Sequence, residues 1–198
     1  MKTKSKEILL TIVIPTFNRP KSLTRLLKSI NKKIDIGEKR LEVIVIDNCS
    51  SHKIDKRKIR SGIPLKIKVN LYNLGIEGNI VESLITTQSS FVWLLSDHQI
   101  LFKRITPLLD FLENERPDFV HCGIDQYSLP LQDTYKVIAQ NKLTKEELTD
   151  MIFYAGNIST FLVSRELINK YARDLFRFSI FAYPHIAVFK NSSNLNFA

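Results

Sequence analysis

The run Ile8–Ile14, apolar at every position but Thr11 and closed by Pro15, constrains this chain more than any other stretch. It is far shorter than the ~20 residues needed to cross a bilayer, and its β-branched content suits a strand covered on both faces. Lys2, Lys4 and Lys6 ahead of it imitate the basic start of an export signal. No small-residue cleavage site follows, because the chain runs into Pro15-Thr16-Phe17-Asn18-Arg19-Pro20. A buried first strand over residues 9–14 is therefore expected, together with a cytoplasmic location.

The rest of the first half alternates in period. Leu23, Leu26, Leu27 and Ile30 recur at helical spacing and predict a helix with Asn18 as its cap and Pro20 in its first turn. Near-continuous apolar runs predict further strands over 41–46 and 91–95, and a strand is also expected over 65–69. Ile80, Val81, Leu84 and Ile85 predict a helix over 78–86. Such alternation implies an α/β fold, a mainly parallel sheet joined by right-handed crossovers and flanked by helices. The second half is less regular. Helices are expected over 107–115 and 166–173, with strands over 119–122 and 158–163. A further helix is expected from the capping box Thr144-Lys145-Glu146-Glu147 to about Phe153. No repeat or linker divides the chain, so residues 1–198 are read as one domain.

Composition excludes several classes. At 44% hydrophobic and 25% charged residues the chain is globular rather than disordered. Its two cysteines, Cys49 and Cys122, have no CxxC spacing and indicate neither a disulfide framework nor a zinc site. The net charge of +9 fits an anionic partner, whether nucleic acid, a membrane surface or a phosphorylated small molecule, and equally a lysine-rich surface kept for solubility. Neither GxGxxG nor GxxxxGK[ST] is present.

Ligands of an open parallel sheet bind beyond the carboxyl ends of its strands. Four polar clusters follow the four expected strands: Thr16, Asn18 and Arg19; Asp47, Asn48, Ser50 and Ser51; Asn70, Asn73, Gly75, Gly78 and Asn79; and Ser96, Asp97, His98 and Gln99. Taken singly, each also reads as the chemistry of a cap or turn. Four at one sheet edge make a cleft.

These residues carry a resemblance. Ile12-Val13-Ile14-Pro15-Thr16-Phe17-Asn18-Arg19, then Val43-Ile44-Val45-Ile46-Asp47-Asn48 with Ser50-Ser51, then Asn73-Leu74-Gly75-Ile76-Glu77-Gly78-Asn79, then Trp93-Leu94-Leu95-Ser96-Asp97 resemble the family 2 glycosyltransferases. These are inverting enzymes of GT-A fold, Rossmann-like, that use nucleoside-diphosphate sugars. Gly156-Asn157-Ile158-Ser159-Thr160 and Tyr183-Pro184-His185 resemble later segments of the bacterial branch that builds surface polysaccharides.

The resemblance implies a nucleotide-sugar-binding half over 8–105 and an acceptor-side half over 106–198. Relatives generally continue further, so a C-terminally truncated form is expected. Donor contacts would come from Pro15, Thr16, Asn18, Arg19, Asp47, Asn48, Asn73, Gly75, Asn79, Ser96 and Asp97. Asp47 would take the base or ribose, and Asn79 would pin the glycine loop. Asp97 and His98 would hold a divalent metal, Mn²⁺ or Mg²⁺, although His98 and Gln99 stand where the family places further acids; His98 reads equally as a strand-end hydrogen bonder. His185 is read as the general base, as a metal ligand or as a packed side chain; Asp97 shares the catalytic assignment, and Asp125 and Ser159 would face the acceptor. The aromatic segment 175–189 reads as a membrane-facing or acceptor surface, or as core packing. The implied function is transfer of a sugar to a glycan or lipid-linked acceptor, with peripheral membrane contact and no nucleic-acid partner. The alternative is a non-catalytic module binding nucleotide sugar or a membrane surface.

Overall fold

The computed structural model describes residues 8–55, 62, 64–101, 103–122, 136–137, 158–177, 179 and 184. Its elements are β1 (Leu10–Thr16), α1 (Pro20–Lys33), β2 (Leu41–Asp47), β3 (Leu65–Val69), α2 (Gly75–Ile85), β4 (Phe91–Leu94), α3 (Thr106–Glu115), β5 (Phe119–His121), β6 (Lys136–Val137) and β7 (Phe161–Ser164). Two short helices follow, α4 (Arg165–Lys170) and α5 (Ala172–Arg177). The strands form one sheet in the order β3-β2-β1-β4-β7-β5-β6.

The first four strands are parallel, as the alternating pattern predicts. β7 pairs antiparallel with both β4 and β5, and β5 antiparallel with β6, so the whole sheet is mixed rather than mainly parallel. Residues 158–160, read from sequence as the start of a strand, form a 3-10 turn, and the strand begins at Phe161. The expected helix over 166–173 is interrupted at Tyr171 and becomes α4 and α5. The helix expected over 144–153 lies outside the described residues.

Alternation along β1 sorts the core into two layers. Leu10, Ile12 and Ile14 pack with α1 and α3 on one face, while Val13 joins α2, α4 and α5 on the other. The buried face of α1 is Leu23, Leu26, Leu27 and Ile30, as its spacing dictates. Polar exceptions in the central strands find one another. Thr11 and Glu42 are register partners, and the Thr11 hydroxyl donates to Glu42 Oε1 at 3.0 Å while Lys66 Nζ closes on Oε2 at 2.7 Å.

Two guanidiniums fasten the layers. Arg40 meets Glu38, Asp110 and Glu113, each at 2.8 Å, tying the entry of β2 to α3; the same contact holds the Glu38 carboxyl below its usual range. Arg165 donates to the Leu84 carbonyl at 3.0 Å and to Thr87 Oγ1, joining α4 to the end of α2. Among the described residues no helix is long and apolar enough to cross a membrane.

Candidate functional site

The parallel strands β1 to β4 all point their carboxyl ends to one rim, and the four polar clusters meet there through hydrogen bonds. The Thr16 hydroxyl, at the end of β1, donates to Asp97 Oδ2 at 2.7 Å. Thr16 is the register partner of Asp47, and its carbonyl accepts from Asn48 N at 2.9 Å. The Asn18 carboxamide oxygen accepts from Ser51 N and Ser51 Oγ, both at 2.9 Å, while Ser50 Oγ accepts from Asn18 N at 2.8 Å. This corrects the expectation for Asn18. It does not cap α1; it adopts a left-handed backbone (φ 54°) and fastens the β1 loop to the β2 loop, while Pro20 opens a helix that has no side-chain cap.

Asn48 organises the third cluster. Its Nδ2 donates to Asn73 Oδ1 at 2.7 Å and to the Gly75 carbonyl at 2.9 Å, and its Oδ1 accepts from Leu74 N at 2.9 Å and Asn70 Nδ2 at 3.2 Å. Asn79 accepts from Asn70 Nδ2 at 3.1 Å and donates to the Ile46 carbonyl at 3.3 Å, anchoring the helix start to β2. The loop needs its glycines. Gly75 turns at φ +73°, and a Cβ on Gly78 would sit 2.8 Å from that of Leu74. The helix accordingly starts at Gly75, three residues before its sequence-expected start.

Because Asn48 is buried and satisfies four groups at once, Asn48→Ala is expected to destabilise the chain by about 2–3 kcal/mol. Urea unfolding checks this; a loss under about 0.5 kcal/mol would show that the loop stands without the hub.

Electrostatically the rim holds two buried carboxylates. Asp47 uses Oδ1 for Ser50 N at 3.1 Å and for the Ser50 hydroxyl, and no described donor meets Oδ2. Asp97 uses Oδ2 for Thr16 and pairs Oδ1 with Arg19 Nη1 at 3.4 Å; the Arg19 side chain is 60% exposed, that of Asp97 only 5%. Phe17, next to Thr16, is 40% exposed, and Tyr72 of the β3 loop and Ile76 at the start of α2 are also exposed. Phe17 and Arg25, whose Nη2 donates to the His98 carbonyl at 3.4 Å, were missed as single site residues. An aromatic placed in a polar loop was the available signal for Phe17.

The described side chains near Asp97 do not by themselves complete a divalent-cation site. A hard ion asks for several oxygen ligands; the carboxylate of Asp97, engaged here by a hydroxyl and a guanidinium, would supply one side-chain ligand and leave the others to substrate phosphates and water. His98 is exposed, its Nδ1 bonded to Ser96 Oγ at 2.7 Å. Among the described residues no three His, Cys, Asp or Glu side chains converge in such a group. Asp97 and His98 therefore do not form the expected metal pair by themselves.

Ser159 is corrected too. It is fully buried and cannot face an acceptor; its Oγ accepts from Ser96 N at 2.9 Å and its carbonyl from Trp93 Nε1 at 2.8 Å, so it props up the Asp97 loop from below. Pro15 is half-buried within β1. His185 and Asp125 lie outside the described residues, as do most of the 175–189 aromatic segment and Gly156-Asn157.

Comparison with known proteins sharpens this picture. The family described as "Glycosyl transferase family 2" matches residues 11–174. The abequosyltransferase RfbV of Salmonella typhimurium is 22% identical over 209 residues, covering 94% of this chain and 62% of that protein. This chain thus spans under two thirds of that relative. The crystal structure of S. aureus TarS 1-349 in complex with UDP-GlcNAc superposes with a TM-score of 0.61 at 20% identity, over 82% of this chain and 47% of that one. The mannosyltransferase PcManGT of Pyrobaculum calidifontis, in complex with GDP-Man and Mn²⁺, gives 0.54 at 15% identity, over 84% and 47%. Both structures share the fold.

Proposed function

This chain belongs to glycosyl transferase family 2, and from that premise we propose that its rim binds a nucleoside-diphosphate sugar and transfers the sugar, with inversion, to a hydroxyl of a glycan or lipid-linked acceptor in surface-polysaccharide synthesis. The observation that carries the reading is the joining of Thr16, Asp47, the Asn48 loop and Asp97 at one strand edge. A buried carboxylate with one oxygen unmet by any described donor, as in Asp47, suits the N–H of a base or a ribose hydroxyl. The exposed ring of Phe17 offers a face to the base. TarS in complex with UDP-GlcNAc, a protein of the same fold, supports a nucleotide-sugar partner.

The reaction is a displacement at the anomeric carbon. The acceptor oxygen forms its bond as the carbon–diphosphate bond breaks, and the acceptor proton passes to a base. His185 and Asp125 are the sequence candidates for that base. In this reading Arg19, paired with Asp97 but largely exposed, meets charge developing on the leaving diphosphate. A non-catalytic binding module is the second reading, favoured by the single carboxylate in the Ser96–Gln99 segment.

Calorimetry with UDP, GDP and CDP, with Mn²⁺ or with EDTA, and a transfer or donor-hydrolysis assay test both readings. One nucleotide should bind, with an affinity that changes less than about twofold between Mn²⁺ and EDTA and weakens about tenfold in Arg19→Ala. Binding of none would overturn the nucleotide-sugar site, and a tenfold dependence on Mn²⁺ would overturn the role given to Arg19. Binding without turnover would select the module.

A further inference from the structure

The outer face of α1 carries a row of cations. Lys21, Arg25, Lys28 and Lys32 recur at i, i+4, i+7 and i+11, directly opposite the buried Leu23, Leu26, Leu27 and Ile30. With Lys33 they give the helix five cations, and its fourteen residues include no acid. Several cations elsewhere are neutralised locally: Arg40 by three carboxylates, Lys66 by Glu42, Lys68 by Glu82, Arg104 by Asp35. Among the described residues, no carboxylate pairs with Lys21, Lys28, Lys32 or Lys33. Mutual repulsion along one helix face is a standing cost that an anionic ligand would remove.

The same face is concave. α1 and the Ile100–Leu101 segment enclose a groove of about 520 Å³, lined by these five cations with Thr24 and Ser29. Ser29 Oγ accepts from Leu101 N at 3.0 Å and fixes the groove's far wall. The stripe from Lys21 to Lys32 runs about 16 Å along the axis, with a cation every turn. The groove opens beside the rim, since Arg25 reaches the carbonyl of His98, the neighbour of Asp97.

We propose that this groove is a second anion site, taking phosphate groups carried by a molecule other than the nucleotide. Resting on the function proposed above, that molecule is the acceptor's phosphate-bearing carrier, lying along α1 while its hydroxyl enters the rim. Lysine ammoniums on long stems suit successive phosphates, which need charge at intervals rather than one fixed geometry. A phosphate on a lipid carrier and a phosphate on a soluble glycan present the same chemistry.

The test uses the whole chain and Lys28→Ala/Lys32→Ala. Both side chains are exposed and alanine favours the helix, so the variant should fold, with circular dichroism and melting temperature as checks. Tripolyphosphate is titrated in the presence of excess UDP, and sedimentation is measured with vesicles of phosphatidylglycerol or of phosphatidylcholine. The wild type should bind tripolyphosphate, phosphatidylglycerol vesicles or both, and not phosphatidylcholine, and the double variant should bind about thirtyfold more weakly. Binding to vesicles alone assigns the phosphate to a membrane-borne carrier, and binding to tripolyphosphate alone to a soluble one. Equal binding by wild type and variant, or no binding to either probe, would overturn the site. UDP affinity, read separately, should be unchanged by the double substitution. If UDP fails to bind while tripolyphosphate binds and responds to it, the nucleotide reading falls and the groove stands.

Discussion

Asp97→Asn should reduce sugar transfer by about 10²–10³-fold while moving the melting temperature by no more than about 2 °C. The carboxamide keeps the volume of the side chain and can still accept from the Thr16 hydroxyl, so the buried contact at 2.7 Å survives. What it loses is the charge that anchors Arg19, together with one acceptor oxygen at the rim. An interaction used to set a cation beside a leaving group is expressed in the transition state, so the rate should fall further than nucleotide affinity. Steady-state transfer measured beside UDP, GDP and CDP titrations decides the matter. Unchanged rate and unchanged affinity would remove Asp97 from the site.

The largest effect on stability is expected at Trp93, the chain's single tryptophan. It lies in the middle of β4 between Ile12 of β1 and Leu162 of β7, 4% exposed, with its indole N–H on the Ser159 carbonyl at 2.8 Å. Trp93→Ala empties the layer between the sheet and the α1–α3 face and removes the indole N–H from that carbonyl. The expected cost is about 3–5 kcal/mol. Trp93→Phe, which keeps most of the packing and loses the donor, should cost about 1–3 kcal/mol. Because neither variant retains tryptophan fluorescence, urea unfolding should be followed by circular dichroism. A loss below about 1 kcal/mol in Trp93→Ala would mean that the layer collapses around the gap.

Much of the first half was legible because burial on both faces writes itself as continuous apolar sequence. Leu41–Ile46 shows this, and the two polar interruptions, Thr11 and Glu42, turned out to face each other. The four clusters were legible for a different reason: strand ends fix where loops lie, whatever those loops contain. What their residue types could not reveal is who bonds with whom. Asn18 carries the signature of a cap yet serves as a clasp to Ser51, because its left-handed backbone aims the carboxamide sideways. Ser159 read as a surface contact because sequence alone does not distinguish a serine supporting a loop from one facing a ligand. The second half hid its breaks for a physical reason as well. Leu167, Ile168, Tyr171 and Leu175 keep helical spacing straight through the interruption between α4 and α5, since the inward face continues while the backbone does not.

The place of β7 between β4 and β5 has a consequence for the order in which the protein takes shape during synthesis. β1 to β4 can close on one another as soon as they leave the ribosome, because the pairings that join these four need no later strand. β5 has no route onto that platform until Phe161–Ser164 emerges some forty residues later and slips in as the spacer. A nascent chain halted between those two points would hold a rim whose Asp97 loop still waits for Ser159, beside a tethered strand that has nowhere to dock.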